Sequence, residues 1–417
     1  MSRITKIKSP IKEMMDKHLF SKRGKEMSKK YNKTSVATIS LAHLAHDTYS
    51  AFLAPILPLL IEKLDITLYM AAFLDIARKV PSLLNPFFGL LAERTDARYF
   101  VILSPALTAF AMSLLGVANS YAMLIILLII SGISSTLFHI PSPGIIKASS
   151  GNKIGMGMSF YMVGGELART LGPLLIMAGI SLWGLEGTWR LMPFGFLASL
   201  ILYYKLKDFK LEQRFTKKPE KGDALAEAKL FLPLFGIMGG YMFFQSAMKM
   251  ATTLYLAVYL TEHGFSLWYA SISLSVLQFF GVIGTFLSGS ISDKIGRQNM
   301  LVLTSIGSAI SMGLFLFSDN IYTLFPILAL LGIFMFSSGP ILLAVIHEID
   351  TKMPIFMNSL YMSINFSISS IVVLLMGYFG DVIGLDKTYM TATILAFFAI
   401  PFALLLNLMI KPKIIQR

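Results

Sequence analysis

His43, His46 and Asp47 sit in the stretch LAHLAHDTYSAFLAPILPLL, residues 41–60, which is otherwise almost wholly apolar. His43 and Asp47 are four residues apart, so on a helix they share a face, with Ser50 continuing it and His46 beside them. An imidazole titrates near neutral pH, and burial pushes a carboxylate toward the same range. Such a trio can take up and release protons. Asp75, Arg78 and Lys79 form a second cluster in an apolar run, where the carboxylate reaches either base at i+3 or i+4. Glu166 and Arg169 repeat the i+3 spacing, while His139, Gln245 and Lys249 stand in other apolar runs. The two acid–base pairs could equally be self-neutralising clasps, and His139, beside two prolines, could be a packing residue. His43-x-x-x-Asp47 also has the spacing of an acyltransferase motif, but no second catalytic motif accompanies it, so the chain is not read as an enzyme.

A membrane explains where these groups are held. The chain has 417 residues, 55% hydrophobic and 14% charged, against roughly a quarter charged in soluble domains. About 20 apolar residues carry a helix across the hydrocarbon core. Apolar runs near 35–62, 69–91, 99–118, 121–147, 154–182 and 188–206, then 229–260, 266–290, 299–317, 321–346, 356–382 and 387–410, predict an all-α membrane protein of twelve transmembrane helices. The expected organisation is a basic tail (1–34), a six-helix bundle (35–206), a linker (207–228), a second six-helix bundle (229–410) and a short tail (411–417). Charged side chains cost a few kcal/mol or more at mid-bilayer, so those that persist there usually face a cavity. Pro55 and Pro58 are expected to bend the outer half of the first span.

The net charge of +13 could suggest nucleic acid. Eleven Lys/Arg lie in 1–34 and eight in 205–229, flanking apolar blocks without interleaved aromatics. That is the pattern of cytoplasmic segments, so both termini are expected in the cytoplasm of a cell-membrane protein and no nucleic acid is expected. Trp183, Trp189 and Trp268 then fall at the outer interface. The segment IKEMMDKHLF (11–20) could lie on the membrane surface as an amphipathic helix; the N-terminus lacks the features of a secretory signal. With no cysteine there is neither a disulfide framework nor a thiolate site, and no metal or cofactor is expected.

The two halves repeat at an offset of 200 residues. Gly89 precedes LLAERTDAR and Gly289 precedes SISDKIGRQ; Gly132 matches Gly332; Ser159-Phe160-Tyr161-Met162 matches Ser359-Leu360-Tyr361-Met362. Parallel repeats of this kind place a substrate site between the halves, near the midplane.

The segment Gly289-x-x-x-Asp293-Lys294-x-Gly296-Arg297-Gln298 resembles the loop signature of the major facilitator superfamily. The N-terminal copy, with Gly89, Arg94 and Arg98, departs from it: Glu93 stands for Asp, Asp96 for Gly and Ala97 for Arg. Asp tolerates a left-handed turn, so the turn is expected to survive at Asp96. The resemblance makes Gly89, Glu93, Arg94, Arg98, Gly289, Asp293, Lys294, Gly296 and Arg297 gating residues between the halves. HLAHDTYSAFLAPILPLLIEKL (43–64), FHIPSPG (138–144) and SFYMVGGELARTLGPLL (159–175) resemble the fosmidomycin-resistance group of drug exporters.

That resemblance implies proton-coupled export of a small anionic or zwitterionic compound, such as a phosphonate. Its expected partners are the small-molecule substrate, protons and the lipid bilayer, and a monomer is expected. Proton coupling would rest on His43, His46, Asp47 and Glu166, and substrate binding on Asp75, Arg78, Lys79, His139, Arg169, Gln245 and Lys249. Four bases against three acids favour an anion once Asp47 is protonated, and a guanidinium suits a phosphonate. Gly165 and Gly172-Pro173 partly resemble an antiporter signature, but Met177 stands where that signature has glycine. Uptake of a sugar or organic acid with protons therefore remains an alternative on the same fold. Residues 2–30 are polar and basic, with no apolar face long enough to span. Deleting them is expected to leave membrane insertion and vesicle transport intact.

Overall fold

In hydrocarbon a helix satisfies its own backbone N–H and C=O groups, which is why apolar runs of this length fold as helices. The computed structural model describes residues 31–85, 87–88, 91, 95–151, 153–207, 224–318, 320–349, 351 and 354–414. The expected surface helix at 11–20, most of the linker, and Gly89, Glu93 and Arg94 lie outside them. The regular elements among the described residues are all helices, and they follow the order of the two sequence repeats. In the first half the spans are Lys33–Ser50 with Leu53–Leu64, Leu68–Lys79, Arg98–Ser113, Tyr121–His139, Ile154–Trp183 and Met192–Leu206. In the second they are Ala224–Leu254 with Leu256–Glu262, Leu267–Ile295, Arg297–Phe315, Ile321–Glu348, Pro354–Ile383, and Leu385–Phe397 with Ala399–Ile414.

Ten of these segments are long and apolar enough to cross a membrane; the second and sixth of the twelve expected spans are not among them. The second gives way to a 3-10 helix at Val80–Leu84, where Pro81 occupies the first turn, and the sixth is 15 residues long. The first span runs Lys33–Leu64 with an interruption of its helix at Ala51–Phe52. Its first piece ends at Ser50, because the Pro55 ring would meet the carbonyl of Ala51 four residues back. Pro58 sits inside the second piece without breaking it. The seventh span breaks at Tyr255 with no proline.

The repeat is visible in the packing. A Cβ at Gly132 would overlap the Arg78 carbonyl, and one at Gly332 would overlap the Leu277 carbonyl. The fourth span therefore touches the second backbone to backbone, and the tenth touches the eighth at the equivalent place. Between the halves, the fifth span lies on the eighth and the second on the eleventh.

The two ends of the molecule differ. At the end carrying the tryptophans, one apolar core runs across both halves, from Tyr49 and Leu60 to Tyr255 and Tyr389. At the opposite, basic end the core splits in two. Val36, Ile102 and Ile146 belong to the first half's cluster, and Phe235, Leu342 and Leu406 to the second's. Four hydrogen bonds tie the halves at the tryptophan end. The Asp381 carboxylate accepts from the amides of Leu68 (2.8 Å) and Tyr69 (2.9 Å), capping the second span. Tyr255 donates its hydroxyl to the Leu68 carbonyl at 2.9 Å, and Trp268 Nε1 donates to Ser181 Oγ at 2.8 Å.

Asp381 is thus a latch holding this end shut. Two hydrogen bonds to a charged acceptor are worth roughly 1.5–3 kcal/mol each, so Asp381→Ala is expected to raise opening at this end by about tenfold or more. The chain has no cysteine, so Thr253→Cys, at the cavity wall, gives a single reporter. Its labelling by an impermeant maleimide from the tryptophan side should quicken in Asp381→Ala and rise less in Asp381→Asn, which keeps one acceptor oxygen.

Candidate functional site

Between the halves lies a cavity of about 310 Å³ whose wall includes Asp47, Asp75, Arg78, Lys79, His139 and Arg169. Its size is at the lower end for small-molecule sites. Asp47 is 8% exposed and is ringed by three imidazoles. His43 Nε2 stands 3.2 Å from Oδ2, His46 Nδ1 2.8 Å from Oδ1, and His139 Nε2 3.2 Å from Oδ1. His43 and His46 belong to the first span with Asp47, while His139 closes the fourth, which stops ahead of Pro141.

Hydrogen-bond directions fix where protons must be. A carbonyl only accepts, so His43 Nδ1 donates to the Tyr161 carbonyl at 2.8 Å. Ser134 donates to the Ser104 carbonyl at 2.8 Å, and Thr108 donates to Ser134 Oγ at 2.7 Å. Thr108 Oγ1 therefore accepts from His46 Nε2 at 2.9 Å. Both rings already carry one hydrogen on the nitrogen facing away from Asp47. Closing the His43 and His46 gaps to the carboxylate takes two protons beyond those of neutral rings and an ionised Asp47. His139 fills its own gap by tautomer choice, with Nδ1 3.2 Å from the Tyr161 hydroxyl. The cluster can hold two exchangeable protons, and its His139 side faces the cavity. His43, Asp47 and His139 also bring three donor atoms within 4.8 Å of one another. The lone pairs of this trio are the ones that draw the exchangeable protons, and no metal role is assigned to them.

The other charges divide into clasps and one exception. Asp75 accepts from Arg78 at 3.2 Å and Lys79 at 2.5 Å, all on the second span. Glu166 holds Arg169 Nη1 with both oxygens, at 3.1 and 2.9 Å, and so stands with Arg169 rather than among the histidines. The Arg169 side chain remains 46% exposed. Lys249, exposed on the seventh span, makes no ion pair among the described residues; its ammonium lies 5.3 Å from the Phe336 ring centroid. Gln245, one turn earlier, is buried with Nε2 unpartnered.

The loop residues behave differently from expectation. Arg297 pairs with Asp293 at 2.6 Å and Glu348 at 2.8 Å, and also donates to Ser292. Arg98 pairs with Asp96 at 2.7 Å and donates to the Lys207 carbonyl. Each of these bonds joins residues of the same half. Gly296 has φ +91°, as its copy of the signature requires, but among the described residues only Asp65 is a non-glycine with positive φ. Asp96 therefore does not reproduce the glycine turn. Its carbonyl accepts from the Tyr99 amide at 3.1 Å and starts the third span.

Several site residues carry no sequence signal of their own. Thr108 and Ser134 are hydroxyls in apolar helices, where such residues are common. Tyr161 stacks on His43 with ring centroids 4.1 Å apart; it stood out only as part of the repeat. A Cβ at Gly165 would overlap the His43 ring, so this glycine makes room for the imidazole.

Comparison with known proteins agrees with this architecture. The family model of the Major Facilitator Superfamily matches residues 39–371. The fosmidomycin resistance protein of Escherichia coli is 25% identical over 281 residues, covering 66% of this chain and 68% of that one. The uncharacterized MFS-type transporter YfnC of Bacillus subtilis is 23% identical over 359 residues, covering 84% and 87%. Among solved structures, a bacterial homolog of the human lysosomal transporter Spinster, inward-facing and unoccupied, superposes with a TM-score of 0.73 at 16% identity, covering 91% of this chain and 98% of that one. The nucleoside transporter NupG gives 0.69 at 12% identity, covering 91% and 100%.

Thr108→Val removes the acceptor of the His46 Nε2 hydrogen and leaves a buried donor unpaired, at a cost of about 1–3 kcal/mol. Its melting temperature in detergent is expected to fall, and Thr108→Ser, which keeps the hydroxyl, should melt close to the parent.

Proposed function

The chain belongs to the Major Facilitator Superfamily and is a multi-pass membrane transporter, not an enzyme; on that premise we propose that it exports a small anionic or zwitterionic compound in exchange for protons. The observation that carries this reading is Asp47, ringed by His43, His46 and His139 at the wall of the central cavity. A site that must gain two protons to complete its hydrogen bonds can be loaded from one side of the membrane and emptied to the other. The likeness to the fosmidomycin resistance protein supports export. The basic clasps around the cavity support an anionic group on the solute.

In this reading the basic end faces the cytoplasm, following the distribution of Lys and Arg, and the protein works as a monomer in the cell membrane. The described state is then open to the cytoplasm and shut outside by Asp381, Tyr255 and Trp268. Solute enters from the cytoplasm, the halves rock about the fifth–eighth and second–eleventh seams, and the cavity opens outward. Protons then reload the Asp47 cluster and return with it. The Asp75 and Glu166 clasps keep their bases ionised and oriented through both states.

Inverted vesicles with an imposed pH gradient test the proposal. Uptake of a responsive anionic or zwitterionic compound is expected to follow the gradient and to stop when an ionophore collapses it. Asp47→Asn should abolish the dependence on the gradient. Transport that persisted unchanged after collapse of the gradient would refute proton exchange.

A further inference from the structure

Charge bookkeeping in the cavity narrows what such an exchanger can carry. Arg78 and Lys79 share Asp75, and Arg169 is held by Glu166. Lys249 has no carboxylate partner among the described residues, and it lies within electrostatic reach of Arg169, Lys79 and Glu166. Its side-chain nitrogen rests against the Phe336 ring, 5.3 Å from the centroid. Arg169 engages Glu166 through Nη1, and its side chain stays 46% exposed at the cavity wall. An oxyanion between them would satisfy both and would join the two halves.

The opposite wall has the opposite need. Asp47 faces His43 and His46 from the first span and His139 from the fourth. Across the cavity stand Asp75, Arg78 and Lys79 on the second span and Arg169 on the fifth, with Glu166 one turn from Arg169. Protons added to the Asp47 cluster make the cavity more positive, so a simple anion binds together with protons, which is symport. Exchange requires the solute to compete with protons for Asp47. Only a cationic or hydrogen-bond-donating group can do that, by supplying the hydrogens that the carboxylate and imidazole nitrogens otherwise draw from protons.

We propose that the exported substrate is two-headed, with an oxyanion seated on Lys249 and the exposed side chain of Arg169, and an ammonium or other donor that displaces protons from Asp47 and its histidines. The inference rests on the proton-exchange reading and gives it a substrate class. Gln245, whose amide nitrogen is unpartnered one turn from Lys249, lies on the anion side.

The test uses taurine and ethanesulfonate, which share a sulfonate and differ by an ammonium; neither changes its own charge near pH 7. The purified full-length protein is titrated with each in detergent and weak buffer. Binding is followed by calorimetry and proton exchange by an indicator dye. Taurine is expected to bind and release protons, and ethanesulfonate to bind with uptake of protons or none. Lys249→Gln should weaken both by about tenfold or more, the scale of one hydrogen bond to a charged group. Asp47→Asn should abolish proton release by taurine and leave ethanesulfonate binding in place; His139→Gln, at the exposed edge of the cluster, should reduce the release with the fold intact by thermal melting. Equal proton release by both compounds, failure of both to bind, or binding indifferent to Lys249→Gln would overturn the proposal. These measurements need no pH gradient, so their failure is distinct from failure of the vesicle exchange assay.

Discussion

The acids and bases that line the space between the halves find their ionic partners inside one half. Asp75 is neutralised along the second span and Glu166 along the fifth, while Asp47 draws on histidines of the first and fourth spans. Arg297 does the same at the basic end with Asp293 and Glu348. Breaking a buried ion pair by withdrawing one partner costs several kcal/mol. Confining each pair to one half removes that cost from the rocking motion. The bonds that do cross between halves are hydrogen bonds at the tryptophan end, where water can replace them on opening.

The halves share their packing but not their chemistry. Gly132 and Gly332 make the same backbone contact in each, so the repeat survives where steric fit demands it. The carboxylates and histidines at the cavity belong to the first half, and the second offers Lys249 and Gln245. One half carries the carboxylates and histidines, and the other presents a lysine and an amide. The cavity wall itself needs both halves, with Met250, Thr253, Leu274 and Gln278 of the second completing it.

Much of this was readable in the residues. Apolar run lengths gave the helices, and the spacing of Asp75, Arg78 and Lys79 and of Glu166 and Arg169 gave their clasps, because i+3 and i+4 contacts are local. What escaped was non-local. His139 reaches Asp47 from another span, and the hydroxyls of Thr108 and Ser134 in apolar spans carry no mark of their partners. Asp381 caps a helix start more than 300 positions earlier in the chain, a contact that no local spacing announces. In the second span Pro81 sits in a 3-10 segment at Val80–Leu84 that follows the α-helix Leu68–Lys79. Asp96 does not take the positive φ of Gly296, and its carboxylate pairs with Arg98.

The break in the first span has an electrostatic consequence. A helix that stops at Ser50 leaves carbonyl oxygens without amide partners, and its aligned peptide dipoles place roughly half a negative charge at that end. Asp47 lies in the final turn, and Arg78 Nη1 already points at the Ser50 carbonyl, 3.4 Å away. The helix terminus thus favours positive charge beside the Asp47 cluster, including imidazolium rings. Pro55, eight residues from Asp47 and uncharged, helps set the field in which protons bind. A helix allowed to run through this point would alter the polarity of the cavity with every ionisable residue still in place.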